Sequence, residues 1–402
     1  MKIIHTSDWH LGQNFYGHDR NEEHLFFLKQ LCAIVGEEEP DALVISGDIY
    51  DSVAPSIAAQ KLYNRMILEL RATAPKMKIV VTAGNHDSSS RLELNEELWD
   101  VFDVKIVGYV ERNEDGVNYE KHIIEIKNES NEGIGYIVAV PYIYYANYPA
   151  TEDENVNRMQ YFHQQLLNRV AERNSGNLPV ILTGHLAVNG ANITGHETKS
   201  THLVYEKIED LGSGYDYLAL GHIHHPQAVK GNAKARYSGS PIPMSFDESY
   251  PHSVTIVEIE SHGSTPEIRE REIKPLVPIF TIPKNGEGIE KILEEIESLP
   301  KGKSYVRVKL KVKDVVPMSE RTQIESRFTG LEAILCELQP VREATTEAKE
   351  QLALATDEFK QLTPMEIAKD YYRRRFSREM DEELYNMLTE CLEEVNNTPK
   401  TE

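Results

Sequence analysis

Through its first two-thirds the chain repeats one pattern. A short apolar run is followed by a longer stretch in which apolar residues recur every third or fourth position. The runs are Lys2–Thr6, Leu43–Ser46, Lys78–Thr82, Gly135–Val140, Pro179–Thr183 and Tyr217–Leu220. Each is short and β-rich, which predicts strands of a sheet covered on both faces. Between the first two, Leu25, Leu28, Leu31, Cys32 and Val35 step by three and four and predict a helix. Ser56 is a good N-cap for a second, carried by Leu62, Met66 and Leu70. Residues 90–103, with Leu94 and Leu98, read as a third. Strand and helix alternating over 1–275 predict a layered α/β domain.

From about residue 276 the rhythm changes. Ile289, Ile292, Leu293, Ile296 and Leu299 predict a helix that ends before Pro300. Tyr305–Val312 then alternates, with Val306, Val308, Leu310 and Val312 on one face and Arg307, Lys309 and Lys311 on the other. A helix over Glu320–Phe328 and a strand over Ala333–Leu338 complete a small α+β module spanning 276–340. Residues 341–402 read as helices only. Thr363-Pro364-Met365-Glu366 is a capping box with proline at the first helical position. The helix it opens carries Tyr371 and Tyr372, with Phe376 just beyond, and a last helix aligns Leu384, Leu388, Cys391 and Val395. These helices have little of their own to bury against. Tyr371, Tyr372, Phe376, Leu384 and Leu388 are therefore candidates for gripping a partner helix pair, packing onto the body being the alternative.

Charge narrows the partners. Of 402 residues, 43 are basic and 65 acidic, a net charge of −22. A broadly basic surface that attracts nucleic acid is excluded, so any anion must be met locally. The deficit is uneven: net −16 over 1–275, zero over 276–340 and −6 over 341–402. Arg307, Lys309 and Lys311 thus sit in the least acidic segment and are candidates for contacting phosphate, a solvated strand face being the alternative. The three cysteines, Cys32, Cys336 and Cys391, fit neither a metal spacing nor a disulfide set. The chain opens without a signal-peptide layout and has no long apolar run, so a cytoplasmic location is expected.

Five polar clusters each follow one of the predicted strands: Asp8-Trp9-His10, Gly47-Asp48, Gly84-Asn85-His86-Asp87, Gly184-His185 and Gly221-His222-Ile223-His224. In an α/β sheet the loops at the carboxyl ends of strands converge on one crevice, so motifs far apart in sequence can meet. Asp and His supply hard oxygen and borderline nitrogen donors suited to divalent metals, and one carboxylate, Asp48, can bridge two ions. Alone, each cluster reads equally well as a turn or as surface or core histidines. Five in order, each at a strand end, do not.

Together these motifs resemble those of the calcineurin-like metallophosphoesterases. Around them, His5-Thr6-Ser7-Asp8-Trp9-His10-Leu11-Gly12 and Tyr237-Ser238-Gly239-Ser240-Pro241 resemble, more narrowly, the SbcD-type nuclease subunits that work with SbcC-type ATPases. The resemblance implies a metallophosphoesterase sandwich with a capping domain and C-terminal helices. It implies two divalent ions, usually Mn²⁺, one held by Asp8, His10, Asp48 and His224 and the other by Asp48, Asn85, His185 and His222. His86 would be the general acid, oriented by Asp87. The activity implied is hydrolysis of DNA phosphodiesters by a metal-activated water, as a 3′→5′ double-strand exonuclease and a single-strand and hairpin endonuclease in repair, recombination and replication. Residues 276–340 would face DNA, and 341–402 would bind the ATPase. The helices at 56–72 and 90–103, with Leu62, Met66, Leu94 and Leu98, would be candidates for a homodimer seam. His18, Arg20 and Arg91 are further candidates for phosphate contacts, His5 reads as a core histidine, and His225 as a loop or supporting residue. A phosphatase or cyclic-nucleotide phosphodiesterase on the same domain, and a non-catalytic DNA-tethering subunit, are the competing readings.

Overall fold

The structure is a computed structural model. It describes residues 1–342 except 115, 152, 154, 195–203 and 314, together with positions 365, 366, 369, 372, 373, 380, 384, 385 and 387–389. Tyr371 and Phe376 lie outside the described residues. Tyr372, Leu384 and Leu388 are described as helical and half-buried.

The predicted strands divide between two six-stranded sheets. One runs, in spatial order, Glu267–Glu272, Ser253–Glu258, Lys2–Thr6, Ala42–Ser46, Lys78–Thr82, Val104–Val107. The other runs Gln227–Val229, Asn232–Tyr237, Tyr217–Gly221, Val180–His185, Gly133–Val138, Ile123–Lys127. In each sheet four strands are parallel and antiparallel strands close the edge. The fold is a sandwich of two such sheets rather than one sheet covered twice.

Strand pleating explains the layers. Alternate residues of Ala42–Ser46 point to opposite sides. Ala42 and Val44 join Ile3, Val80, Ile137, Ile181 and Ala219 in an apolar layer between the sheets. Leu43 and Ile45 instead meet the helices Asn21–Glu38 and Ile57–Thr73 through Leu28, Leu31, Met66 and Leu70. On the far side, Leu182, Leu218 and Leu220 pack against Phe162, Leu166 and Val170 of the helix Arg158–Arg173. A strand buried on both faces must be apolar at every position, which is why these runs lack a polar alternation. Ser56 caps its helix as expected, its Oγ accepting from the Ala59 N–H at 3.1 Å. The helix read at 90–103 is instead two short turns, Ser89–Leu92 and Glu96–Asp100. Between them the Glu93 carboxylate accepts from the Gly108 N–H and the Lys121 ammonium, so tertiary bonds override helical periodicity there.

The module that begins at about residue 276 has three parallel strands, Ile279–Glu287, Ser304–Val312 and Ala333–Arg342, joined by the helices Ile289–Glu297 and Met318–Phe328. The first strand was not anticipated from the pattern. The apolar face of Ser304–Val312 packs on both helices through Val306, Val308 and Leu310. Its other face docks on the larger domain. Tyr305 packs with Phe15 and Phe246, and its hydroxyl donates to Glu23 Oε1 at 2.9 Å. Tyr16 reaches back to Glu337.

Candidate metal centre

All five clusters lie at the carboxyl ends of their strands, three from one sheet and two from the other. Main-chain bonds join the first two loops, and a side chain crosses to the other sheet. The Asp8 N–H donates to Gly47 O and the His10 N–H to Asp48 O, each at 3.0 Å. Ser46 Oγ donates to Ala219 O across the sandwich at 3.1 Å. The approach is close enough to demand glycine. A Cβ on Gly221 would collide with the Ser46 carbonyl oxygen, and one on Gly84 with the Asp48 carboxylate and main chain. Asp8, His10, Asp48 and His222 all take left-handed backbone, with φ of 53°, 45°, 52° and 94°. Non-glycine residues pay for that conformation, and such residues gather at functional sites.

The side chains form two groups that share a wall. Asp8, His10 and His224 offer donor atoms within 4.8 Å of one another, and so do Asp48, His185 and His222. Asp48 joins the groups: its Oδ2 lies 3.6 Å from His10 Nε2 and 3.3 Å from His185 Nε2. Asn85 Oδ1 lies 3.1 Å from His185 Nε2 and 2.9 Å from His222 Nδ1. Adjacent donors around a first-row ion at about 2.1 Å stand about 3.0–3.4 Å apart, so these separations suit a coordination sphere. His10 Nε2 is buried without a hydrogen-bond partner among the described residues, as a nitrogen reserved for a cation would be.

Each group is held from behind. Ser7 Oγ donates to Asp8 Oδ2 at 2.6 Å, and the His222 N–H to Asp8 Oδ1 at 2.9 Å. His185 Nδ1 donates to Ser46 O at 2.8 Å, which leaves Nε2 facing the site. The His86 N–H donates to Asp48 Oδ1, leaving Oδ2 between the groups. His224 Nδ1 lies 3.1 Å from Oε1 of the buried Glu248, whose other oxygen accepts from the Met244 N–H.

Electrostatics favours a cation. Burial alone would raise the Asp48 carboxyl, but the imidazoles of His185, His10 and His86 hold it well below the usual range. Burial likewise works against charge on His10 and His185. Asp51, Asp48 and Asp8 outweigh it at His10, and Asp48 and Asp8 at His185, so each is pushed up to about 9. Protonated imidazoles here balance the carboxylates, which is the office a metal ion would take over.

His86 is exposed over the same cavity, its ring centroid 4.9 Å from that of His10. The group orienting it is not Asp87. His86 Nδ1 donates to the Asp51 carbonyl oxygen at 2.9 Å. Asp87 instead accepts main-chain N–H groups from Ile49, Tyr50 and Gly84 and ties two loops together. Burial, with Asp48 nearby, pushes its carboxyl up to about 6. Asp51 itself stands 3.3 Å from His10 Nδ1 and was not singled out from the sequence, nor was Glu248. Asp51 had a signal, three residues after Asp48. Glu248 had none, being 24 residues from the histidine it meets.

The cationic candidates divide. Arg307 is only 5% exposed, donates to Asp247 Oδ1 at 2.7 Å and to Phe246 O, and covers the Phe246 ring. It fastens this smaller module to the larger domain and does not present itself to phosphate. Lys309 is half-buried and Lys311 exposed, so the strand face opens only toward its carboxyl end. Arg20 is also buried, paired with Glu23 and donating to Pro243 O. His18 is half-buried beside the Tyr305 ring, and Arg91 is exposed. His5 is a core histidine against the Tyr217 hydroxyl at 2.9 Å, and His225 stacks on Tyr250. Met66 is buried in the core, whereas Leu94 and Leu98 are 77% and 57% exposed.

Comparison with known proteins agrees with this architecture. The calcineurin-like phosphoesterase family model matches residues 1–226, and the one described as type 5 capsule protein repressor C-terminal domain matches 275–376. The SbcD component of the SbcCD nuclease from Rhodobacter capsulatus is 31% identical over 313 residues, covering 74% of this chain and 76% of that one. Its counterpart of the same name from Bacillus subtilis is 28% identical and covers 97% of both chains. That of Escherichia coli K12 is 29% identical, covering 73% and 74%. The family match and the donor groups together support divalent-metal binding. Loops, donors and relatives converge on one assignment: the chain belongs to the calcineurin-like phosphoesterase family, among its SbcD-type members.

Proposed function

We propose that this chain is the nuclease subunit of a complex with an SbcC-type ATPase and hydrolyses DNA phosphodiester bonds. It would act 3′→5′ from double-strand ends and within single strands and hairpins. The observation that carries the reading is Asp48 Oδ2, within 3.6 Å of a histidine from each donor group. One carboxylate oxygen serving two groups is the arrangement a dinuclear phosphoesterase needs. Two ions, Mn²⁺ in the family's usual form, would be held by Asp8, His10, Asp48 and His224 and by Asp48, Asn85, His185 and His222. When bound, such ions supply Lewis acidity toward the phosphate oxygens and lower the pKa of water.

The chain's own groups do the rest. Asp48 Oδ1 is occupied by the His86 N–H, so its other oxygen stays directed between the donor groups. Glu248 and Ser46 O fix the rings of His224 and His185, so little reorganisation is required when phosphate arrives. His86, its Nδ1 committed to Asp51 O, has Nε2 to deliver a proton to the leaving oxygen. No residue acts as a covalent nucleophile.

The layout proposed is a nuclease domain over 1–275, a capping domain over 276–340 facing DNA through Lys309 and Lys311, and C-terminal helices over 341–402 for the ATPase. Exposed Ile57, Leu94, Leu98 and Val101 support a homodimer seam. No helix among the described residues is long and apolar enough to cross a membrane, in keeping with a cytoplasmic enzyme. The test is incubation with Mn²⁺ and the ATPase partner, offering a labelled duplex and p-nitrophenyl phosphate in parallel. Degradation of the duplex is expected. Intact DNA beside rapid turnover of the small ester would establish a phosphatase instead.

A further inference from the structure

The cavity over the donor groups is larger than a phosphate requires. At about 760 Å³ it runs from His10, Asp48 and His222 along Pro141-Tyr142-Ile143-Tyr144-Tyr145 to Tyr148. The tyrosines continue the metal centre outward. The Tyr142 ring meets His185 edge-on at 6.3 Å, and Tyr144 meets Tyr142 edge-on at 4.9 Å. Tyr145 leans on the buried Tyr148 at 6.3 Å. The segment is anchored, because the Tyr142 N–H donates to Ala83 O at 2.8 Å, immediately before Gly84-Asn85. Yet Tyr144 and Tyr145 are 63% and 56% exposed, large rings left wet beside a site that handles phosphate.

Exposed aromatic rings next to a phosphate site are what an unpaired base stacks upon, and stacking is indifferent to base identity because every base has a π-face. A paired base within a duplex has both faces occupied and cannot use such a wall. We propose that Tyr144 and Tyr145 form a stacking platform for an unpaired nucleobase next to the phosphodiester being cut, so that the cavity takes a splayed single-strand end rather than intact duplex. The proposal rests on the nuclease reading above and deepens it, by assigning the residues that bind the nucleobase. Loss of stacking at one base commonly weakens binding by about tenfold.

The test uses the full chain with its ATPase partner and Mn²⁺. Two single-stranded oligonucleotides are compared, one complete and one abasic around a unique cleavable linkage, the others being phosphorothioates. On the complete strand the Tyr144→Ala, Tyr145→Ala double variant should lose about tenfold in kcat/KM, mostly through KM. The Tyr144→Phe, Tyr145→Phe variant, which keeps the rings and loses the hydroxyls, should stay near the unaltered chain. On the abasic strand all three should be slow and alike. An alanine variant as fast as the unaltered chain on the complete strand, or one losing the same factor on the abasic strand, overturns the platform alone. No cleavage of either strand by the unaltered chain overturns the nuclease reading and the platform with it.

Discussion

Individual side chains at the centre are specified by what stands behind them. Glu248 touches no donor group except through His224, yet it fixes that ring and is itself fully buried. Replacing such a supporting carboxylate commonly costs 10–100-fold in metal affinity. Glu248→Ala should therefore release metal at about 10–100-fold lower chelator concentration, with circular dichroism unchanged. His86 predicts the opposite separation. His86→Gln should retain metal stoichiometry while cleavage falls by about 10²–10⁴-fold, read from metal analysis and nuclease rate on the same preparation. A variant that lost metal and activity together would make His86 a ligand. The candidate donors can be nominated from the sequence because each cluster follows a strand, and all but Asp8-Trp9-His10 open on a glycine. Glu248 was not, since nothing local marks a residue that meets its histidine only through the fold. Asp87 was misread for a related reason. The resemblance implies that it orients His86, but its carboxylate accepts from three main-chain donors instead.

Whole elements were read best where burial is symmetrical. Lys2–Thr6 and Lys78–Thr82 emerge with the bounds their apolar runs announce, because both faces are covered and polarity ends where cover ends. Ser304–Val312 was correctly read as a strand, but its basic face was not fully solvent-facing. Periodicity reports which residues share a side and is silent on which neighbouring element covers it. Arg307 lies where that side is covered, Lys311 where it is open. The two six-stranded sheets approach closely at Gly221 and Ser46. An added methyl there meets main chain, which cannot swing aside as a side chain can. Gly221→Ala should cost about 3 kcal/mol and much of the activity, measured by urea midpoint and nuclease rate. Undisturbed stability would mean that the sheet edges part easily.

At the scale of the molecule, several histidines are buried as neutral rings away from the donor groups. Burial pushes His122 and His163 down to about 4 and His5 to about 3. Their unfolded value is about 6.5, so on acidification the unfolded chain takes up the proton first. The stability they contribute is complete above pH 6.5 and is lost as pH falls toward 4. Between pH 7 and pH 5 linkage puts the loss at about 2 kcal/mol for each. Urea midpoints in chelator should drop between those values, and less steeply in His163→Phe. The drop is smaller than the three losses together, because the raised His10, His185 and Asp87 gain stability over the same window. A flat profile would show that these rings reach water.

The left-handed backbone at Asp8, His10, Asp48 and His222 has a consequence for descent as well as for chemistry. Each such residue costs on the order of 1–3 kcal/mol, and selection on stability alone would replace it with glycine. At these four positions the need for a donor atom is the reason to retain it. A duplicated copy relieved of hydrolysis would gain stability by giving up these residues first, while its apolar runs endured. Glycine at those four positions in an otherwise intact relative would thus mark a lineage that kept the scaffold and abandoned the reaction.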